Sequence, residues 1–109
     1  MKKKHIIRKN YEFTRIFNEV KPYQTTNFVF YLEAKTNDNF AFGIAVSKKN
    51  ANAVTRNFIK RRMRKILDQY SFQKSFNCII LCKKGVEKEN FHTLKNEITT
   101  FLQKFDLLE

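Results

Sequence analysis

Residues 40–47, FAFGIAVS, alternate strictly: Phe40, Phe42, Ile44 and Val46 fall on one side, and Ala41, Gly43, Ala45 and Ser47 on the other. A period of two is that of a β-strand, and here one face is bulky while the other is nearly bare. A long helical pattern follows over about residues 53–70, then an apolar run, FNCIILC, at 76–82. Because two strands joined through a helix lie parallel in one sheet, this segment constrains the fold more than any other. By the general rule for such connections the crossover would be right-handed.

The rest of the chain builds on that unit. Asn10 is placed to cap a helix over 11–20, in which Phe13, Ile16, Phe17 and Val20 recur at helical spacing until Pro22 stops the pattern. NFVFYLEAK, rich in aromatic and β-branched residues, is separated from FAFGIAVS by the polar turn TNDN, which reads as a hairpin. A closing helix over about 89–105 carries Phe91, Leu94, Ile98, Phe101, Leu102 and Phe105 at steps of three and four. The order is αββαβα, an α+β sandwich with a small mixed sheet. A length of 109 residues fits one domain, entered through a basic arm at 1–9 that contains Lys2, Lys3, Lys4, Arg8 and Lys9. His5 is expected in that arm, mobile and catalytically idle.

Charge narrows the function. With 22 Lys and Arg against 10 Asp and Glu, the formal charge is +12, a self-repulsion that a polyanion relieves. No apolar run approaches the roughly 18 residues of a membrane-spanning helix, and a cytoplasmic protein without a membrane partner or a small-molecule substrate is expected. Cys78 and Cys82, about 13 Å apart along one strand, are too distant for a disulfide and read as reduced thiols.

The cations concentrate in one helix. Residues 55–67, TRNFIKRRMRKIL, hold six cations in thirteen residues. At about 100° per residue, Ile59, Met63, Ile66, Leu67 and Tyr70 form one stripe, and Lys60, Arg64, Asn57, Arg61 and Lys65 border it, with Arg56 at the seam. Solvated helix faces usually mix signs, because opposite charges at i,i+4 stabilise and like charges destabilise. Here no acid lies between Asp38 and Asp68, an interval with eight cations: Lys48, Lys49, Arg56, Lys60, Arg61, Arg62, Arg64 and Lys65. Arginine's planar fork matches phosphate oxygens, so contact with nucleic acid is the better reading.

The 26 residues AFGIAVSKKNANAVTRNFIKRRMRKI resemble the signature of the protein subunit of bacterial ribonuclease P, a strand ending in Ser-Lys-Lys that leads through Asn-Ala-Val into Arg-Asn-x-x-Lys-Arg-x-x-Arg. That motif falls on Arg56, Asn57, Lys60, Arg61 and Arg64, and the likeness extends from Asn10, Phe13 and Phe17 through Tyr31 to the closing helix. Two positions depart from it. Phe58 stands where the family usually carries Arg, a loss that Arg62 is placed to offset in part, and Ala51 stands where it tends to carry Gly.

The resemblance implies a left-handed βαβ crossover, contrary to the general rule, and a basic protein bound to ribonuclease P RNA. That complex removes the 5′ leader of precursor tRNA by hydrolysis that depends on Mg2+ in the RNA active site, with no cofactor held by the protein. It further implies that Phe13, Phe17 and Tyr31 line a cleft for the leader, with Lys48 and Lys49 at its entrance. Spacing alone would make the three aromatics core residues; the likeness makes them a stacking surface, with the bare strand face leaving room for a groove. Arg62 and Lys65 extend the surface for the catalytic RNA. Asn57 fits either an RNA contact or a backbone cap. No sequence cluster of carboxylates, placed histidine or nucleophile motif supplies an active site of the chain's own. The rival readings are a ribosomal-type structural RNA-binding protein without a substrate role and a protein nuclease acting alone.

Overall fold

The computed structural model describes residues 1–73 and 75–109. Among them the chain forms α1 (Asn10–Glu19), β1 (Pro22–Gln24), β2 (Phe28–Ala34), β3 (Phe40–Val46), α2 (Ala53–Leu67), β4 (Phe76–Cys82) and α3 (Phe91–Lys104). The α+β class, the parallel pairing of β3 with β4 and the three main strands agree with the pattern in the sequence. The three-residue β1, too short to show a period, is an addition.

The hairpin between β2 and β3 does not form. The sheet order is β1-β2-β4-β3, so β4 inserts between them, antiparallel to β2 with Ile79 opposite Tyr31 and parallel to β3 with Ile79 opposite Gly43. The reason lies in β4 itself. Phe76, Asn77, Cys78, Ile79 and Ile80 are all buried, and a strand apolar on both faces is stable only in the centre of a sheet with layers on both sides.

Those layers are unequal. On one face Ile59, Met63, Ile66 and Leu67 of α2 and Leu94, Ile98, Phe101 and Leu102 of α3 pack with Phe28, Phe30, Phe42, Phe76, Cys78 and Ile80 in the main core. On the other, a small core of Ile7, Ile16, Ala41 and Ile79 joins α1 and the N-terminal segment to the sheet, with Phe13, Phe17 and Tyr31 packed at its rim. Gly43 permits this close approach: a Cβ there would lie 2.7 Å from Phe13 Cζ and 3.2 Å from Ile7 Cβ. The bare face of β3 is therefore largely the seat of α1 rather than open groove, and Ala41 and Gly43 are buried.

Helix boundaries follow capping chemistry. Asn52 accepts a hydrogen bond from Thr55 N at 2.9 Å to open α2, and Asn90 accepts from His92 N at 2.7 Å to open α3. Asn10 is not a cap; it is the first helical residue of α1, preceded by Lys9 with no side-chain cap bond.

The N-terminal arm is packed, contrary to expectation. The Met1 amine pairs with Asp68 at 3.2 Å. The His5 ring stacks on Phe40 with centroids 3.8 Å apart, and its Nδ1 lies 2.8 Å from the Phe40 carbonyl. Ile7 N donates to Phe42 O at 2.8 Å, and Ile7 is buried. Three apolar anchors in MKKKHII (Met1, Ile6, Ile7) thus cover part of the free edge of β3, the protection an edge strand needs, while Lys2, Lys3, Lys4, Arg8 and Lys9 stay exposed.

Candidate nucleic-acid interface

The outward side of α2 is a field of unneutralised charge. Arg61, Arg64 and Lys65 are exposed, and Arg56 and Lys60 are half-buried. Among the described residues none of these five forms an ion pair; the pairs present are Met1 with Asp68 and Arg15 with Glu19 and Glu33. Arg56 spends one guanidinium nitrogen on Ala51 O at 2.8 Å, which ties the first turn to the preceding loop. Asn57 is exposed; the cap of α2 is supplied by Asn52, which leaves Asn57 available for a partner. Lys48 and Lys49 lie exposed in the turn between β3 and α2.

Arg62 behaves differently from its neighbours. Its guanidinium donates to Glu89 O at 2.9 Å and to Glu87 O at 3.4 Å, and it sits 5.2 Å from the Phe58 ring and 5.9 Å from that of Phe91. The fork binds α2 to the segment entering α3, so Arg62 is a structural anchor before it is a contact for RNA.

The three aromatics lie side by side. Phe17 stands edge-on to Tyr31 at 4.9 Å and 6.1 Å from Phe13, and all three are half-buried. Next to them a cleft of about 480 Å³ runs along the outer edge of β3, lined by Arg8, Asn10, Phe13, Ala45 and Val46 on one side and by Lys60 and Arg64 of α2 on another. Phe13 is thus shared between the aromatic group and the cleft, and two cations of α2 look into the same space. A polar cluster ties α1 to the sheet: Arg15 holds Glu33 with both nitrogens at 2.5 and 3.0 Å, and buried Asn77 donates to Glu33 at 3.0 Å. The Arg15 hydrogen bonds, followed by that of Asn77, hold the Glu33 carboxyl below its ordinary pKa against the opposing effect of burial.

Cys78 and Cys82 are buried free thiols, and burial pushes that of Cys82 up to about 12 and Cys78 higher still. Such thiols are protonated and inert. Among the described residues no group of three or more His, Cys, Asp or Glu gathers as a metal site, and no helix is long and apolar enough to cross a membrane.

The family model described as Ribonuclease P matches residues 1–106. The chain belongs to the ribonuclease P protein family. The ribonuclease P protein component of Streptococcus pyogenes serotype M5 (strain Manfredo) is 34% identical over 110 residues, covering 100% of this chain and 92% of the relative. That of Mycoplasma mobile is also 34% identical, over 105 residues, 95% of this chain and 92% of the relative. Among solved structures, a Staphylococcus aureus RNase P protein superimposes with a TM-score of 0.79 at 27% identity, over 96% of this chain and 98% of that one. The RNase P protein from Thermotoga maritima gives 0.79 at 26% identity over 90% and 94%. This chain is accordingly a ribonuclease P protein component; none of these comparisons favours the ribosomal-type alternative.

Within a ribonuclease P protein, the structure separates the residues singled out from sequence into three groups. Arg56, Asn57, Lys60, Arg61, Arg64 and Lys65 share the outward flank of α2. Phe13, Phe17 and Tyr31 share the rim of the smaller core, with Phe13 reaching the cleft. Arg62 is drawn away by backbone carbonyls 25 and 27 residues distant in the chain. Sequence reading missed Gly43 as the residue that lets Phe13 approach and Glu33 as the polar link between α1 and the sheet. The one signal for Gly43 was that the bulky-bare alternation put the smallest residue of all in mid-strand.

Proposed function

We propose that the chain docks on the catalytic RNA of ribonuclease P through the phosphate-facing flank Arg56, Asn57, Lys60, Arg61, Arg64 and Lys65. In the same reading, the 5′ leader of precursor tRNA lies in the cleft beside Phe13, Phe17 and Tyr31, entering past Lys48 and Lys49. The observation that carries this reading is the junction of the two surfaces: Phe13, Lys60 and Arg64 line one cleft. A strand laid there would stack a base on an aromatic ring while its phosphates met cations that, among the described residues, pair with no acid.

The work of each group follows from its chemistry. The α2 cations release counterions from RNA phosphates, a term that strengthens binding without reading sequence. The aromatics accept any base by its face, so a leader of any sequence is held. Together they offset the repulsion between two polyanions and set the leader against the RNA. In this reading hydrolysis belongs to the RNA, where Mg2+ would supply an activated water, and the residues of this chain bind and orient. The site of action is the cytoplasm.

Reconstitution tests the proposal. Purified protein alone should leave precursor tRNA intact, and with the catalytic RNA at low Mg2+ it should restore cleavage and favour leader-bearing over mature tRNA. Cleavage by the protein alone, or equal affinity for both tRNAs, would contradict it.

A further inference from the structure

The outward face of α2 is not wholly cationic. Phe58 lies there with 40% of its surface exposed, one turn from Val54, which is 78% exposed. Arg61 and Lys65 flank this apolar step on the same face. An aromatic left partly open beside so basic a field forfeits part of the gain from burial.

The ring is also held in place. Arg62, fixed by its bonds to Glu87 O and Glu89 O, lies 5.2 Å from the Phe58 centroid and spans the gap to Phe91. Phe58 is therefore the outer member of a Phe91–Arg62–Phe58 stack. A hollow of about 480 Å³ opens beside it, lined by Met1, Phe58, Arg61, Arg62, Arg64, Lys65 and Asp68. Asp68, its one acid, is engaged by the Met1 amine. The hollow thus offers a ring face at its wall and cations around it, complementary to an aromatic group carried on an anionic backbone.

We infer that Phe58 is a stacking platform for one unpaired nucleobase of the catalytic RNA, with Arg61, Arg64 and Lys65 taking the phosphates on either side. This rests on the proposal that α2 faces that RNA and adds to it a contact of another kind. Salt discriminates the two: a phosphate contact changes the slope of affinity against ionic strength, whereas base stacking on a neutral ring shifts affinity at every salt concentration alike.

The test measures binding of the protein to the catalytic RNA over a salt series for Phe58→Ala, Phe58→Leu, Phe58→Tyr and Arg61→Ala. Phe58→Ala and Phe58→Leu should each bind roughly 5- to 150-fold more weakly with the slope unchanged. Phe58→Tyr should bind like the parent, and Arg61→Ala should lower the slope by about 0.7 to 0.9. Leu keeps the apolar cover over Arg62, so a purely structural role for Phe58 predicts that Leu rescues; that result would overturn the inference, as would parental affinity in Phe58→Ala. If Arg61→Ala also left affinity and slope unchanged, the docking of α2 itself would fail. Two further arms decide the source of the base and the class of partner. Loss of precursor tRNA affinity in the holoenzyme, with catalytic RNA binding intact, would refute the RNA assigned here. A concentration-dependent self-association of the protein that Phe58→Ala abolishes, without effect on RNA binding, would make the surface a protein contact instead.

Discussion

Phe17→Ala separates the two roles open to the aromatic rim. Phe17 is half-buried, standing edge-on to Tyr31 at 4.9 Å and packed against the small core of Ile7, Ile16, Ala41 and Ile79. A fully buried Phe→Ala change costs about 3 to 5 kcal/mol; with the ring at the rim of the small core and only partly shielded, a smaller loss of roughly 2 to 4 kcal/mol is expected. Against a total stability of about 5 to 15 kcal/mol, such a loss leaves nearly all molecules folded, so by itself it does not weaken any ligand. Removal of a stacked base is worth about 1 to 3 kcal/mol and acts only on a tRNA that carries a leader. The assay is a thermal melt together with holoenzyme affinities for leader-bearing and mature tRNA. A lower melting temperature with a selective loss for the leader-bearing form is the expected result. Equal weakening of both tRNAs, or unchanged affinity for both, would refute the cleft role and leave Phe17 as packing.

Gly43→Ala should displace the Phe13 ring, whose Cζ lies 2.7 Å from the added Cβ; a stability loss of about 1 to 3 kcal/mol and weaker leader binding are expected, read by melting and by tRNA affinity. Ile7→Ala should cost about 2 to 4 kcal/mol because Ile7 is buried and ties the N-terminal segment to β3, and a melting temperature within a degree of the parent would show that the segment is not anchored. Glu33 has a depressed pKa in the fold, so its bonds to Arg15 and Asn77 contribute stability that is fully present above the unfolded carboxylate value and is lost as pH falls through the folded one. Denaturant midpoints should therefore drop on acidification below about pH 4.3, and Glu33→Gln should flatten that part of the profile.

The elements with a clear period could be read from the sequence, and those that depend on distant partners could not. The stripe Ile59, Met63, Ile66 and Leu67 is buried as the helical repeat requires, and β4 occupies the run FNCIILC end to end. Adjacency in the chain favours a hairpin of β2 and β3, whereas the unbroken apolar run of β4 marks it as the central strand. The packed N-terminal segment has no periodic signal: Met1, Ile6 and Ile7, separated by three lysines and His5, match neither the helical nor the strand repeat. On α2 the wheel located the cationic flank but could not show that Arg62 turns to carbonyls of a loop far along the chain. The choice between core and cleft for Phe13, Phe17 and Tyr31 has no single answer in the fold, since half-buried rings at a core rim can serve both.

The central claim is that the cations of α2 meet RNA phosphates. It is tested most directly by the salt dependence of catalytic RNA binding in the variant with Arg56, Lys60, Arg61 and Arg64 all replaced by alanine. At about 0.7 to 0.9 per phosphate contact, four lost contacts should make the slope of log affinity against log salt shallower by roughly 3, with much weaker binding at low ionic strength and only the modest fall in melting temperature that loss of the Arg56 bond to Ala51 O brings. An unchanged slope in a folded variant would contradict the account.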